Sequence, residues 1–147
     1  MKRAIVLSLL LLVAAACAPI VPPPPPSVPP PVPGMAPAGA RVFTVYFDWN
    51  RSWVHPSGMA ILAQAAAVYK AGGIATVQVT GYADTSGSAR HNLRLSKRRA
   101  YHVARILTRL GVPWNAMAIS GAGETSLAVP TPDGVREPHN RRVTIVE

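Results

Sequence analysis

The sequence predicts an α/β fold: a two-layer sandwich in which helices cover a mixed four-stranded sheet, in the order β-α-β-α-β-β. Two observations point to it. Segments with apolar residues at three- and four-residue spacing alternate with short β-branched segments in which apolar residues recur every second position. Two further β-rich segments, "MAISGAG" and "RRVTIVE", close the chain with only a Gly/Pro-rich span between them.

The first forty residues precede that pattern. Met1-Lys2-Arg3 is a positive start, and "AIVLSLLLLVAAA" (4–16) is an apolar run too short to span a bilayer comfortably. Residues 1–16 therefore read as a secretory signal peptide. Cys17 is the only cysteine, which excludes an intramolecular disulfide and a CxxC-type metal cluster. The "AAAC" junction resembles a bacterial lipoprotein signal, in which the cysteine is acylated and becomes the mature N-terminus. Ala18, in place of an acid, then implies sorting to the outer membrane. The plainer alternative is an ordinary signal peptide cleaved elsewhere. Residues 17–40 are Pro-dominated and uncharged up to the last position, and read as a tether. At about 3.1 Å per residue in polyproline II, it holds a domain roughly 60–70 Å from its anchor when extended.

The folded domain is expected over residues 41–147. "VFTVYF" (42–47) is a strand stopped by Asp48-Trp49-Asn50. "PSGMAILAQAAAVYKAGG" is a helix with Pro56 in its first turn, Met59, Leu62, Ala66 and Tyr69 on one face, and Gly72-Gly73 at its end. "ATVQVT" (75–80) alternates as a second strand. Ser88 is the expected N-cap of a helix running to Leu110, with Gly111 just past its end and a buried stripe of Leu93, Ala100, Val103, Leu107 and Leu110. "MAISGAG" (117–123) and "RRVTIVE" (141–147) are the last strands, joined by a long surface loop.

Charge narrows the partner. The formal net charge is +9, or +7 once Lys2 and Arg3 of the signal are set aside. An anionic neighbourhood is implied. The export signal removes nucleic acid from consideration, which leaves lipid headgroups, lipopolysaccharide or cell-wall polymer.

Asp84 lies just beyond the second strand, in a strand-to-helix loop of the kind that carries binding groups in α/β sheets. Asn92, Ser96 and Arg99 follow at helical spacing on one face, whereas Arg94, Arg98, Arg105 and Arg109 fall on others, where solvation accounts for them. Arg99 borders the core stripe, where an unpaired charge is costly, so it needs a partner. Asp84 as that partner makes a purely structural ion pair. The alternative is a split site in which the carboxylate takes an ammonium and the guanidinium takes a carboxylate. Such a pair recognises a zwitterion.

The segments "VYFDW", "GYADTSGSARHNLRLSKRRAYHVARILTRLGV", "GAGE" and "NRRVTIV" stand in the order and spacing of the C-terminal peptidoglycan-binding module of the OmpA-like family, which the chain resembles from about residue 42 to 147. With the cysteine junction and tether, it is similar to the peptidoglycan-associated lipoprotein type. The resemblance implies that Asp84 and Arg99 grip the diaminopimelate side chain of the peptidoglycan stem peptide, with Asn92 and Arg141 near the same pocket. It implies an outer-membrane, lipid-anchored protein whose periplasmic domain holds the wall without catalysis or cofactor. The sequence departs from the family pattern at Tyr82-Ala83, where His-Thr is more usual, and at His91, where Tyr is common.

A second reading makes the domain a docking piece for Tol-type periplasmic proteins, with wall binding secondary. A third, an envelope hydrolase, has only the composition of Asp84, Ser88 and His91 behind it, without a nucleophile elbow. The four histidines lack metal-ligand spacing, and "GAGETS" lacks the ending of a phosphate loop and reads as a tight turn. Trp49, Trp53 and Trp114 are irregularly spaced, which favours core or rim packing over a sugar platform.

Overall fold

The computed structural model describes residues 39–147 apart from residue 73. The expected signal peptide, acylated Cys17 and nearly all of the tether lie outside the described residues. Six elements follow in the expected order: β1 Val42–Tyr46, α1 Pro56–Lys70, β2 Val77–Tyr82, α2 Ala89–Arg109, β3 Met117–Gly123 and β4 Arg142–Val146. The sheet order is β1-β4-β2-β3, with β4 antiparallel to both β1 and β2, and β2 parallel to β3. Parallel neighbours require a crossover, and α2 is that crossover.

Helix ends follow local chemistry. Pro56 begins α1, where a missing N–H costs nothing. The Ser88 hydroxyl caps α2 by accepting from the His91 amide at 3.3 Å. At the far end Gly111 takes φ +101°, its amide reaches the Thr108 carbonyl and that of Val112 reaches Leu107, a Schellman closure.

Val77 and Val79 of β2, Val143 and Ile145 of β4 and Val45 of β1 point to the helices and are fully buried. Leu62, Ala65 and Ala66 of α1 and Ala100, Val103 and Leu107 of α2 close over them. Two expected core positions are instead exposed: Met59 at 41% and Leu93 at 40%. On α1 the inner face is set by Gly58, whose lack of a Cβ admits the Val54 and Val45 methyls. On α2 the buried arc is shifted toward Leu95 and Ala104, because the backbone of Leu93 itself sits against Gly123.

α2 lies almost in backbone contact with the sheet. A Cβ at Gly81 would collide with the Ser96 carbonyl, and one at Gly121 would come within 2.6 Å of the Lys97 amide nitrogen. The small Ser96 fits this gap, its hydroxyl accepting from the Gly123 amide at 2.9 Å and donating to the Leu93 carbonyl. This close packing fixes the first turns of α2 at the ends of β2 and β3.

Candidate functional site

The exits of β1, β2 and β3 and the entry of β4 coincide, since Tyr46 pairs with Arg142, Gly81 with Val143 and Tyr82 with Gly123. The connecting loops therefore gather at one end of the sheet, over the start of α2.

Asp84 lies there, only 4% exposed. Its Oδ2 accepts from Arg141 Nη1 at 3.1 Å, and its Oδ1 accepts from the Ser86 hydroxyl at 2.7 Å. Ser86 in turn accepts from the Trp49 indole N–H at 2.9 Å, and Arg141 Nε donates to the Phe47 carbonyl at 3.0 Å. Loops after β1 and β2 and the residue ahead of β4 are thus joined through one carboxylate. Asn92, 1% exposed, donates from Nδ2 to the Asp84 carbonyl at 3.0 Å and to the Glu124 carboxylate.

Arg99 is wholly enclosed, and it does not form the structural ion pair with Asp84 that was one of the two readings of these residues. Its Nε donates to the Arg51 carbonyl at 2.8 Å, Nη1 to that of Tyr82 at 2.8 Å and Nη2 to that of Asp48 at 3.0 Å. Its guanidinium carbon lies 5.2 Å from the Phe47 ring centroid. The side chain reaches backbone carbonyls of the β1–α1 loop and of the β2 end, while the carboxylate of Asp84 is taken by Arg141. Burial pulls the Arg99 guanidinium down to about 10, an effect partly opposed by the charge of Asp84. It stays protonated at neutral pH.

Of the sequence-based site residues, the structure brings Asp84, Asn92 and Arg141 into one hydrogen-bonded cluster, and sets Arg99 beneath it as a brace carrying positive charge. Three of its five N–H donors are engaged in these bonds. Sequence reasoning missed Glu124, read as part of a tight turn, although its carboxylate following a glycine turn at a strand end was a usable signal. With Glu124 the site holds two carboxylates and two guanidiniums.

A cleft of about 320 Å³ opens beside Asp84, lined by Trp49, Asn50, Ser86, His91 and Asn92 among others. Asn50 adopts φ +52° and its side-chain oxygen meets His91 Nε2 at 3.0 Å across the mouth. Trp49, 45% exposed, forms the rim, with the Arg136 guanidinium stacked 3.6 Å from its ring centroid. Arg136 belongs to the long loop after β3. That loop is held by Thr85, whose hydroxyl donates to the Pro132 carbonyl at 2.7 Å, and by Asn140, whose Oδ1 accepts from the amides of Ala128 and Val129. Among the described residues no cluster of three metal-ligating side chains occurs, and no helix is long and apolar enough to cross a membrane.

A mixed sheet covered by two helices, with charged loops converging at one end, defines an α/β module of the kind carried by outer-membrane proteins and lipoproteins. The chain belongs to the OmpA family, whose model matches residues 46–141. It is 42% identical over 117 residues to an outer membrane protein of Gluconacetobacter diazotrophicus, covering 76% of this chain and 31% of that protein. It is 33% identical over 101 residues to a probable lipoprotein, YiaD, of Escherichia coli, covering 69% of this chain and 46% of that one. The chain thus spans less than half the length of these two relatives. The crystal structure of the peptidoglycan-associated lipoprotein from Burkholderia pseudomallei superposes with a TM-score of 0.65 at 30% identity, over 71% of this chain and 88% of that one.

Proposed function

We propose that the folded domain binds peptidoglycan non-covalently through the cleft at Asp84, recognising the zwitterionic end of a diaminopimelate-type stem peptide. The observation that carries this is the Asp84 carboxylate lining the cleft, paired with Arg141 and joined through Asn92 to Glu124, with the buried Arg99 guanidinium beneath them. A ligand ammonium meets the Asp84 carboxylate, and the ligand carboxylate meets Arg141, while the buried Arg99 adds positive charge from beneath. Asn92 holds the Asp84 backbone and Glu124 in place. Membership of the OmpA family and the name of the Burkholderia relative support the choice of ligand. Cys17, acylated, anchors the chain in the outer membrane, and the Pro-rich tether lets the domain reach the wall. The role is adhesion without catalysis.

The test is retention of the full chain on isolated peptidoglycan, with titration by a soluble diaminopimelate peptide. Asp84→Ala and Arg99→Ala should each lower retention at least tenfold, provided circular dichroism shows a folded domain. Wild-type retention by both variants would sink the site assignment. Crosslinking in cells should yield muropeptide adducts; adducts to protein alone would favour the docking role.

A further inference from the structure

The solvent face of α2 carries a second concentration of charge, apart from the Asp84 cleft. At 3.6 residues per turn, Arg90, Arg94, Lys97, Arg98, Arg105 and Arg109 fall within an arc of about 120°, and all six are exposed. The buried residues of the helix occupy the opposite side. No acidic residue occurs between Asp84 and Glu124, and none of the ion pairs among the described residues uses a cation of this face. Arg90, Arg94 and Arg98 follow one another at four-residue spacing, as do Arg105 and Arg109. Like charges at that spacing destabilise a helix. In an exposed helix an acid at i±4 would relieve this, and the sequence supplies none.

The face is also shaped. Lys97, Arg98, Tyr101, His102, Arg105 and Arg109 line a cleft of about 460 Å³ that shares no residue with the one at Asp84. At its edge Tyr101 packs edge-on against Trp114, with ring centroids 5.1 Å apart, and the two remain 53% and 42% exposed. Cations that favour phosphate stand beside two amphipathic rings of the type enriched at membrane–water boundaries. A free anion would use only the charges, whereas a phospholipid surface uses both.

We propose that the outer face of α2, with Tyr101 and Trp114, is a docking surface for an anionic phospholipid membrane. Lipid phosphates occupy the cleft between Lys97, Arg98, Arg105 and Arg109, and the two rings settle at headgroup depth. The arrangement holds the domain flat on a bilayer with the Asp84 cleft left accessible. It is independent of what that cleft binds.

Co-sedimentation of the full chain with vesicles tests this, because the apolar N-terminal segment contributes equally to every variant. The wild type should bind phosphatidylcholine vesicles containing phosphatidylglycerol far more tightly than phosphatidylcholine alone, with the preference shrinking as salt rises. Each cation near an anionic surface strengthens binding about fivefold. The Lys97→Gln/Arg98→Gln/Arg105→Gln/Arg109→Gln variant should therefore lose at least about a hundredfold on anionic vesicles and nothing on neutral ones. Trp114→Ala should lose several-fold on anionic vesicles. The proposal is overturned by equal binding of wild type and quadruple variant to anionic vesicles. Variant-sensitive capture of inorganic polyphosphate without vesicle binding overturns it equally.

Discussion

Asp84 and Arg141, 57 residues apart in sequence, meet at 3.1 Å with side chains 5% and 12% exposed, and the loops of three strands hang on that contact. The pair leaves a carboxylate charged at the floor of a cleft without leaving it uncompensated. Water is largely excluded from both partners, so removing either strands a charge.

Asp84→Asn should therefore destabilise the domain by about 3–5 kcal/mol, and Arg141→Met by a similar amount. The double variant should recover part of the loss, giving a coupling of about 2–3 kcal/mol in a double-mutant cycle. Urea unfolding of the four proteins measures it. A coupling near zero would mean that the contact does not organise the loops.

Arg99→Gln deprives two of three backbone carbonyls of their donor and should cost about 2–4 kcal/mol. The pH dependence has a definite sign. Burial lowers the folded-state value to about 10, below that of the unfolded chain, so from about pH 10 upward the unfolded state binds more protons. The stability contribution of Arg99 is thus least at neutral pH and rises through that window. The difference in unfolding free energy between wild type and Arg99→Gln should grow between about pH 9 and 11.5; a difference that shrinks contradicts the assignment.

Gly81→Ala places a methyl group on the Ser96 carbonyl. Neither backbone can yield without lifting α2 from the sheet, so a loss on the order of 3 kcal/mol or more is expected. Thermal unfolding measures this, and a near-neutral result would show that α2 stands further from β2.

Asn140, fully buried, serves residues 128 and 129 as a strand partner would, accepting from both amides and donating to the Val129 carbonyl at 2.8 Å. Asn140→Ala leaves these groups unpaired and should cost about 2–4 kcal/mol. The amides of Ala128 and Val129 should then exchange with solvent much faster by hydrogen-exchange mass spectrometry. Unchanged protection there would remove Asn140 from the support of the loop after β3.

Much of the molecule was legible because periodicity and punctuation are local. Alternating Val77 and Val79, the Ser88 cap and Gly111 at the end of α2 each act within a few residues. Asp84 and Asn92 stood out from their place at a strand-to-helix loop and a helix face, and the structure joins them through the Asp84 carbonyl. Leu93 was misplaced because a helical stripe has two edges, and which one is buried depends on how closely the backbone approaches; here Gly123 receives the backbone of Leu93. Glu124 was not chosen because it lies in no periodic segment and reads as part of a turn.

The sequence by itself determined the order of the elements, the segregation of cations onto the outside of α2, and the need of the near-core Arg99 for a partner. Only the tertiary structure decided what that partner is. Hydrophobic spacing specifies which side chains leave water, but the groups that meet them arrive from loops distant in sequence. Arg99 found the carbonyls of Asp48, Arg51 and Tyr82, and the carboxylate of Asp84 was left to Arg141 at the entry of the last strand.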